Sequence, residues 1–316
     1  MTSFIFHRIV SLVVTILAAS LIVFSVMEIL PADPAAIMLG VNAQPDTLAA
    51  LREQMGLDQP ALIRYFHWIS GVFIGDFGTS YTYDVPVLEL IVERMTVSLP
   101  LGVMAIVLST ALAIPLGLYS ASKRGKARDA AIMGLAQLGV AVPNFWLGLV
   151  FILLFAVKWN LLPAGGFAGW DAGFWPGLRS LALPAIALAV HHAAVLARVT
   201  RSSVLETLNE DYIRTAHAKG AGRRAVLWRH ALPNAMIPVV TIMGLQFASL
   251  LSGTIIIENV FTLPGLGRLI FQAIDQRDLI VVESVTILLV IGVIVMNFIV
   301  DLAYGFLDPR LRRRRS

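Results

Sequence analysis

Residues 211–234 read DYIRTAHAKGAGRRAVLWRHALPN. This polar, Arg-rich stretch lies between two long apolar runs, 181–199 and 235–257, in a chain that is 58% hydrophobic and only 14% charged. A soluble domain carries about a quarter charged residues, so this chain lacks the polar surface to dissolve in water. Its mean hydropathy of +0.80 agrees. The quoted stretch is therefore an aqueous exception within a membrane protein, and its side of the membrane decides how the rest is read.

Working outward, six apolar runs are long enough to cross a hydrocarbon core, which takes about 20 helical residues. They are 9–30, 97–121, 130–157, 181–199, 235–257 and 280–303. Helix is the form expected, because backbone groups in lipid must be satisfied internally and no barrel alternation is visible. The third run would span about 42 Å against a core of about 30 Å. Pro143 lies inside it, so a tilt or kink is expected there. The first run is too long for a signal-peptide core and reads as a retained helix.

Basic residues set the orientation. With the N-terminal segment inside, inside segments hold 17 of the 24 Lys and Arg, including Lys123, Arg124, Lys126 and Arg128, seven between 198 and 234, and five in the tail. Both termini and residues 198–234 are then cytoplasmic. The resulting organisation is an N-terminal segment with the first helix (1–30), an extracytoplasmic loop subdomain (31–96), a five-helix core (97–303) and a basic tail (304–316). The RRRR of the tail reads as a topology and anionic-lipid anchor.

The external loop carries eight acidic and three basic residues. In it, TLAALREQMGL reads as a helix capped by Asp46 and ended at Gly56. The following ALIRYFHWISGVFIGDFG offers a face of Tyr65, Phe66, Trp68, Ile69, Val72 and Phe73, for packing at the membrane surface or meeting a partner. Residues 198–234 are far more than two antiparallel helices need as a connection. Asn209 or Asp211 can cap a helix ending near Gly220, and 223–231 reads as a second helix stopped by Pro233. A helix–Gly turn–helix at this surface could lie on anionic lipid or dock into a cytoplasmic partner.

The spacing Ala216-x3-Gly220-x11-Leu232-Pro233 resembles the "EAA" loop of binding-protein-dependent ABC importer permeases. The family pattern is Glu-Ala-Ala, three residues, Gly, nine residues, then Ile-x-Leu-Pro. Here Arg214-Thr215-Ala216 stands for Glu-Ala-Ala and His230 for Ile. The string DYIRTAHAKG…RHALPNAMIP is similar to the variant of the dipeptide/oligopeptide/nickel branch, and to its B-type subunit. ILPADPAA (29–36), GLDQP (56–60), GDFGTS (75–80), PVLELIVER (86–94), VPNFWLGL (142–149), LARVTRSSVLE (196–206), IIENVFTLPGLGRL (256–269) and FLDPRLR (306–312) resemble that branch in order along nearly the whole chain.

That resemblance implies an all-α, six-span type I importer permease without a nucleotide site of its own, in a bacterial inner membrane. It further implies a homologous second permease, two ATPase subunits that bind ATP and Mg, and an extracytoplasmic solute-binding protein. Arg214, Thr215, Ala216, Gly220, His230, Leu232 and Pro233 would form the element that couples to the ATPase. No cofactor, metal or nucleic acid is implied for this chain.

Other features are weaker. No G-x-x-x-x-G-K-[ST] is present, and Gly265-Leu266-Gly267 reads as a turn. With no cysteine there is no thiolate site or nucleophile. His191 and His192 lie near mid-span and could bond between helices, line a cavity or, least of all, bind metal. Glu258 and Asn259 end the fifth span, as helix terminators or lining of an outer vestibule. Arg198 and Arg201 share a helix face, for lipid phosphates or for an ion pair with Glu206, Glu210 or Asp301. Two rival classes are an ion-gradient secondary transporter and an intramembrane enzyme. Neither the internal repeat and intramembrane acidic residues expected of the first nor the catalytic constellation of the second is visible in the sequence. The solute itself is not written in the chain.

Overall fold

The computed structural model describes residues 2–29, 34–40 and 44–307. Parts of 29–36 and 306–312, the tail beyond 307, and the side chain of Asp301 lie outside the described residues. The described backbone is helical nearly throughout, with one isolated antiparallel bridge between Thr79 and Pro86. In order come α1 (Thr2–Ile29), α2 (Pro34–Leu39), α3 (Pro45–Gln54), α4 (Ala61–Ile74), α5 (Val87–Ser122), α6 (Ala127–Ala141) and α7 (Asn144–Phe151). Then follow α8 (Phe174–Thr207), α9 (Asp211–Ala218), α10 (Arg223–Ala225), α11 (Leu232–Val260), α12 (Leu266–Asp275) and α13 (Leu279–Leu307). Wide π-helical turns, Ile152–Lys158 and Val226–Ala231, continue α7 and α10.

Five helical runs are long and apolar enough to span: Phe6–Ile29, Val87–Ser122, Phe174–Thr207, Arg223–Val260 and Leu279–Val300. Helix α6 with α7 and its π turn, bent by 100° at the break, makes a sixth where the pair is counted as one span. The expected kink at Pro143 is thus a full break. Val142, ahead of the proline, is extended (φ −87°, ψ 126°), as the ring requires. Pro143 is extended as well, and the helix restarts at Asn144.

The described residues fall into two compact units, one of 97–264 with residues from 296 onward, the other of 2–96 with 265–295. The first is built around α8. Of its apolar window 72% is buried, against 11% for α1, so α8 is wrapped by protein while α1 presents its side chains outward. The Ala-rich sequence of α8 permits this, because small residues let helix backbones approach. A Cβ on Gly117 of α5 would lie 2.6 Å from the Ala197 carbonyl oxygen, so that crossing needs glycine. Val97, Leu101, Leu181, Leu188, Ile257 and Phe261 form the main apolar cluster.

In the second unit Val87, Ile91, Leu269, Val281 and Val285 make the core. Buried Asp278 accepts hydrogen bonds from Ser80 Oγ (2.5 Å) and the Thr82 N–H (3.1 Å), fixing the turn at 80–84 to the start of α13. Burial, with the charges of Asp278 and Glu283, holds the Tyr81 phenol far above its ordinary range. The aromatic face of α4 divides. Tyr65 and Ile69 are buried, the Tyr65 hydroxyl sits 2.9 Å from Ser20 Oγ of α1, and Trp68 packs 6.0 Å from Phe24. Arg64 pairs with Glu28, whereas Phe66 and Phe73 stay exposed.

The expected Asp46 cap is displaced: the N-cap of α3 is Gln44, without a side-chain bond, and Asp46 lies in the first turn. Pro45 takes the first helical position, where its missing N–H costs nothing. Gly56 does adopt the left-handed backbone expected of it, at φ +67°.

Candidate functional site

α9 is short because its sequence ends itself. Gly220 is left-handed (φ +86°), its N–H bonds the His217 carbonyl at 2.9 Å, and the Ala221 N–H reaches back to the Ala216 carbonyl at 3.1 Å. This is a Schellman end, in which the residue four before the glycine supplies the far carbonyl. The spacing Ala216-x3-Gly220 is therefore the spacing of one helix terminus. Ala216 also packs in a buried cluster with Ile213, Val226 and Ala231, with Ala221 against it. A small side chain at 216 lets α9 lie on the π turn. On the opposite face Arg214 and Thr215 are exposed, and Arg214 reaches its neighbour Asp211 at 3.3 Å.

Three expectations change here. The N-cap of α9 is Glu210, not Asn209 or Asp211, and it makes no side-chain cap bond; Asp211 instead lies in the first turn, where the helix dipole favours it. The second helix is not stopped by Pro233. α10 widens into the π turn and runs on through Leu232 into α11, so Pro233 sits within its first turn. The widened ladder gives the ring room against the preceding turn, where a regular helix would clash. His230 contributes through its backbone carbonyl, which accepts from Asn234 Nδ2 (3.1 Å) and from the Tyr212 hydroxyl (3.3 Å). Asn234 Nδ2 also donates to the Tyr212 oxygen at 2.8 Å, clasping α9 to the start of α11.

The element is wired into the spans. Leu232 packs against a cluster of Leu118 and Ala121 from α5, Val204 from α8, and Leu227 and Ala235. Arg223 Nη2 donates to the Ser122 carbonyl at the end of α5, at 3.0 Å.

A second junction was not foreseen. Asp129, 6% exposed at its side chain, receives Arg201 in a bidentate pair, Nε to Oδ1 and Nη2 to Oδ2, both 2.7 Å. It also accepts from Ser120 Oγ (2.5 Å) and the Gly125 N–H (3.1 Å). One carboxylate thereby joins α5, the turn after it, α6 and α8. Arg201 thus pairs with Asp129 rather than with Glu206 or Glu210, and Arg198 donates to Gln137 Oε1 at 3.2 Å. The available signal was that Asp129 is the one acidic residue between Glu93 and Asp171, set in a basic turn.

The remaining candidates are placed as follows. His191 and His192 stand ring to edge, 5.5 Å apart at 89°. His192 is buried and its Nδ1 has no hydrogen-bond partner among the described residues, while its backbone carbonyl accepts from Gln246 Nε2 of α11 at 3.2 Å. Glu258 is fully buried and accepts from Ser98 Oγ at 2.6 Å; Asn259 Nδ2 folds back onto the Ile255 carbonyl at 2.8 Å. Among the described residues no group of three His, Asp or Glu gathers to hold a metal ion.

Two family models match. Residues 113–313 fit "Binding-protein-dependent transport system inner membrane component" and residues 1–102 fit the N-terminal model of the same systems' membrane component. The dipeptide transport system permease protein DppB of Escherichia coli is 40% identical, with both chains covered completely. A probable peptide ABC transporter permease protein of Sinorhizobium fredii is 37% identical, over 98% of this chain and 99% of its own. Among solved structures, a chain of the inward-facing MetNI methionine ABC transporter superposes with a TM-score of 0.59 at 19% identity. It covers 69% of this chain and 96% of its own, a likeness of fold.

Proposed function

We propose, from the premise that the chain belongs to the family of binding-protein-dependent transport system inner membrane components and is a permease subunit of an ABC importer, that it forms one half of a pathway for peptides. The relatives named for dipeptide and peptide transport support that solute class. An importer permease of this family works with a further permease, ATP-hydrolysing subunits and a binding protein. In this reading the second permease is a homologue, two ATPases carry the ATP and Mg, and the binding protein delivers solute on the extracytoplasmic side. Both termini and α9 face the cytoplasm of a bacterial inner membrane.

The observation that carries the coupling assignment is the two-sided build of α9. Its exposed Arg214 and Thr215 are available to an ATPase, while buried Ile213 and Ala216 hold it on the π turn. Closure of the ATPases moves α9 as a body, because the Schellman end leaves no loose joint at Gly220. Leu232 and Leu227 pass that displacement to α5, α8 and α11. Arg214, where the family carries glutamate, calls for an acidic complement on the ATPase.

Uptake of a labelled dipeptide by the full complex in proteoliposomes, with binding protein and ATP, tests this. Gly220→Val should cut uptake about tenfold or more and weaken ATPase co-purification while membrane insertion persists, since a β-branched residue resists φ > 0. Gly220→Asn should retain much of the activity. Normal uptake by Gly220→Val sinks the coupling role; uptake driven by an ion gradient without ATP sinks the mechanism.

A further inference from the structure

A groove of about 500 Å³ lies between the end of α5 and the segment formed by α10 and its π turn, and its charge is one-sided. Lys123, Arg223 and Arg224 line it together with Leu118, Leu227 and Trp228, and among the described residues no carboxylate does. Two of its aromatic members, Tyr119 and Trp228, are 42% and 50% exposed, and Arg128 Nη1 adds a further cation by donating to the Tyr119 hydroxyl at 3.0 Å. Arg223 spends one bond on the Ser122 carbonyl, whereas Arg224 is exposed. Cations at the mouth, an apolar floor where a span ends, and flanking Trp and Tyr match a phospholipid at the membrane–water boundary. The phosphate is met by Lys and Arg, the acyl chain by Leu, and the amphipathic rings sit at headgroup level.

We propose that this groove binds the headgroup of an anionic phospholipid of the cytoplasmic leaflet, with an acyl chain laid along Leu118, Leu227 and Trp228. This rests on the reading that α9 faces the cytoplasm. The consequence is direct. Leu118 and Leu227 belong to the cluster that joins the π turn to α5 and α8, and α9 lies on that same π turn through Ile213 and Ala216, so a lipid seated there bears on the support of the proposed coupling element.

The probe is Trp228 fluorescence, taken as the difference between the wild-type and Trp228→Phe complexes in nanodiscs. Brominated phosphatidylglycerol is compared with brominated phosphatidylcholine. Preferential quenching by the anionic lipid is expected, falling about fivefold for each cation removed in Lys123→Gln and Arg224→Gln. Equal quenching by both lipids overturns the proposal, as does an undiminished preference in the double variant. Protection from both lipids on ATPase binding also overturns it, since a protein then covers the groove. Uptake and ATPase co-purification on the same preparations separate the two readings: lipid-blind quenching with normal ATP-driven uptake sinks the headgroup site alone.

Discussion

Two turns on the same unit, 122–127 and 208–223, are held in opposite ways. The first depends on one buried carboxylate, Asp129, which gathers Ser120, Gly125 and Arg201. The second depends on small apolar side chains and a left-handed glycine, with its polar groups turned outward. A buried ion pair selects one arrangement and is costly to break. An apolar patch under an exposed helix leaves a whole face free for another protein. Under the proposed function, the difference separates a fixed brace from a handle that an ATPase could move.

The largest effect should come from the brace. Asp129→Ala strands Arg201, 25% exposed at its side chain, and breaking such a pair by removing one member costs about 3–5 kcal/mol. Thermal unfolding in detergent should show a clear drop in Tm. Combining Asp129→Leu with Arg201→Met should recover most of it, because replacing both partners is often neutral. A double variant as unstable as the single one would show that the pair is not the source. Next comes the handle. Ala216→Leu overfills the cluster under α9, at about 1–3 kcal/mol, and should reduce ATPase co-purification more than it reduces the yield of inserted permease. Equal losses in both would contradict the division between brace and handle. The smallest change in stability belongs to Tyr212→Phe, which deletes the clasp to Asn234 and the His230 carbonyl at about 0.5–1.5 kcal/mol. Its effect should appear in the ratio of uptake to ATP hydrolysed rather than in Tm, because the clasp aligns α9 with α11 and little else.

Much was legible in the chain alone. Hydrophobic length located the apolar runs, and the motif order named the family. Ala216-x3-Gly220 could be read because a helix terminus is local: both residues lie within one turn and answer to backbone geometry. Pro143 was visible for the same reason, though local rules set the direction of its effect and not the 100° size of the bend. The Asp129–Arg201 pair was not legible. Its members lie 72 residues apart, and nothing in the neighbouring sequence of either points to the other. Pro233 misled because a proline after a short helix usually ends it, and only packing of Val226, Leu227 and Ala231 shows that the turn widens instead. The placement of Glu258 against Ser98, 160 residues earlier, is of the same kind.

By itself, then, the sequence determined class, approximate spans and the helix terminus at Ala216-x3-Gly220, since burial in lipid and helix termination both act over a few neighbouring residues. Tertiary structure alone decided which charges are braces, which face of α9 stays open and which helix stands at the centre. Those follow from which surfaces meet, and a one-dimensional pattern of hydrophobicity does not specify helix rotation or partner choice.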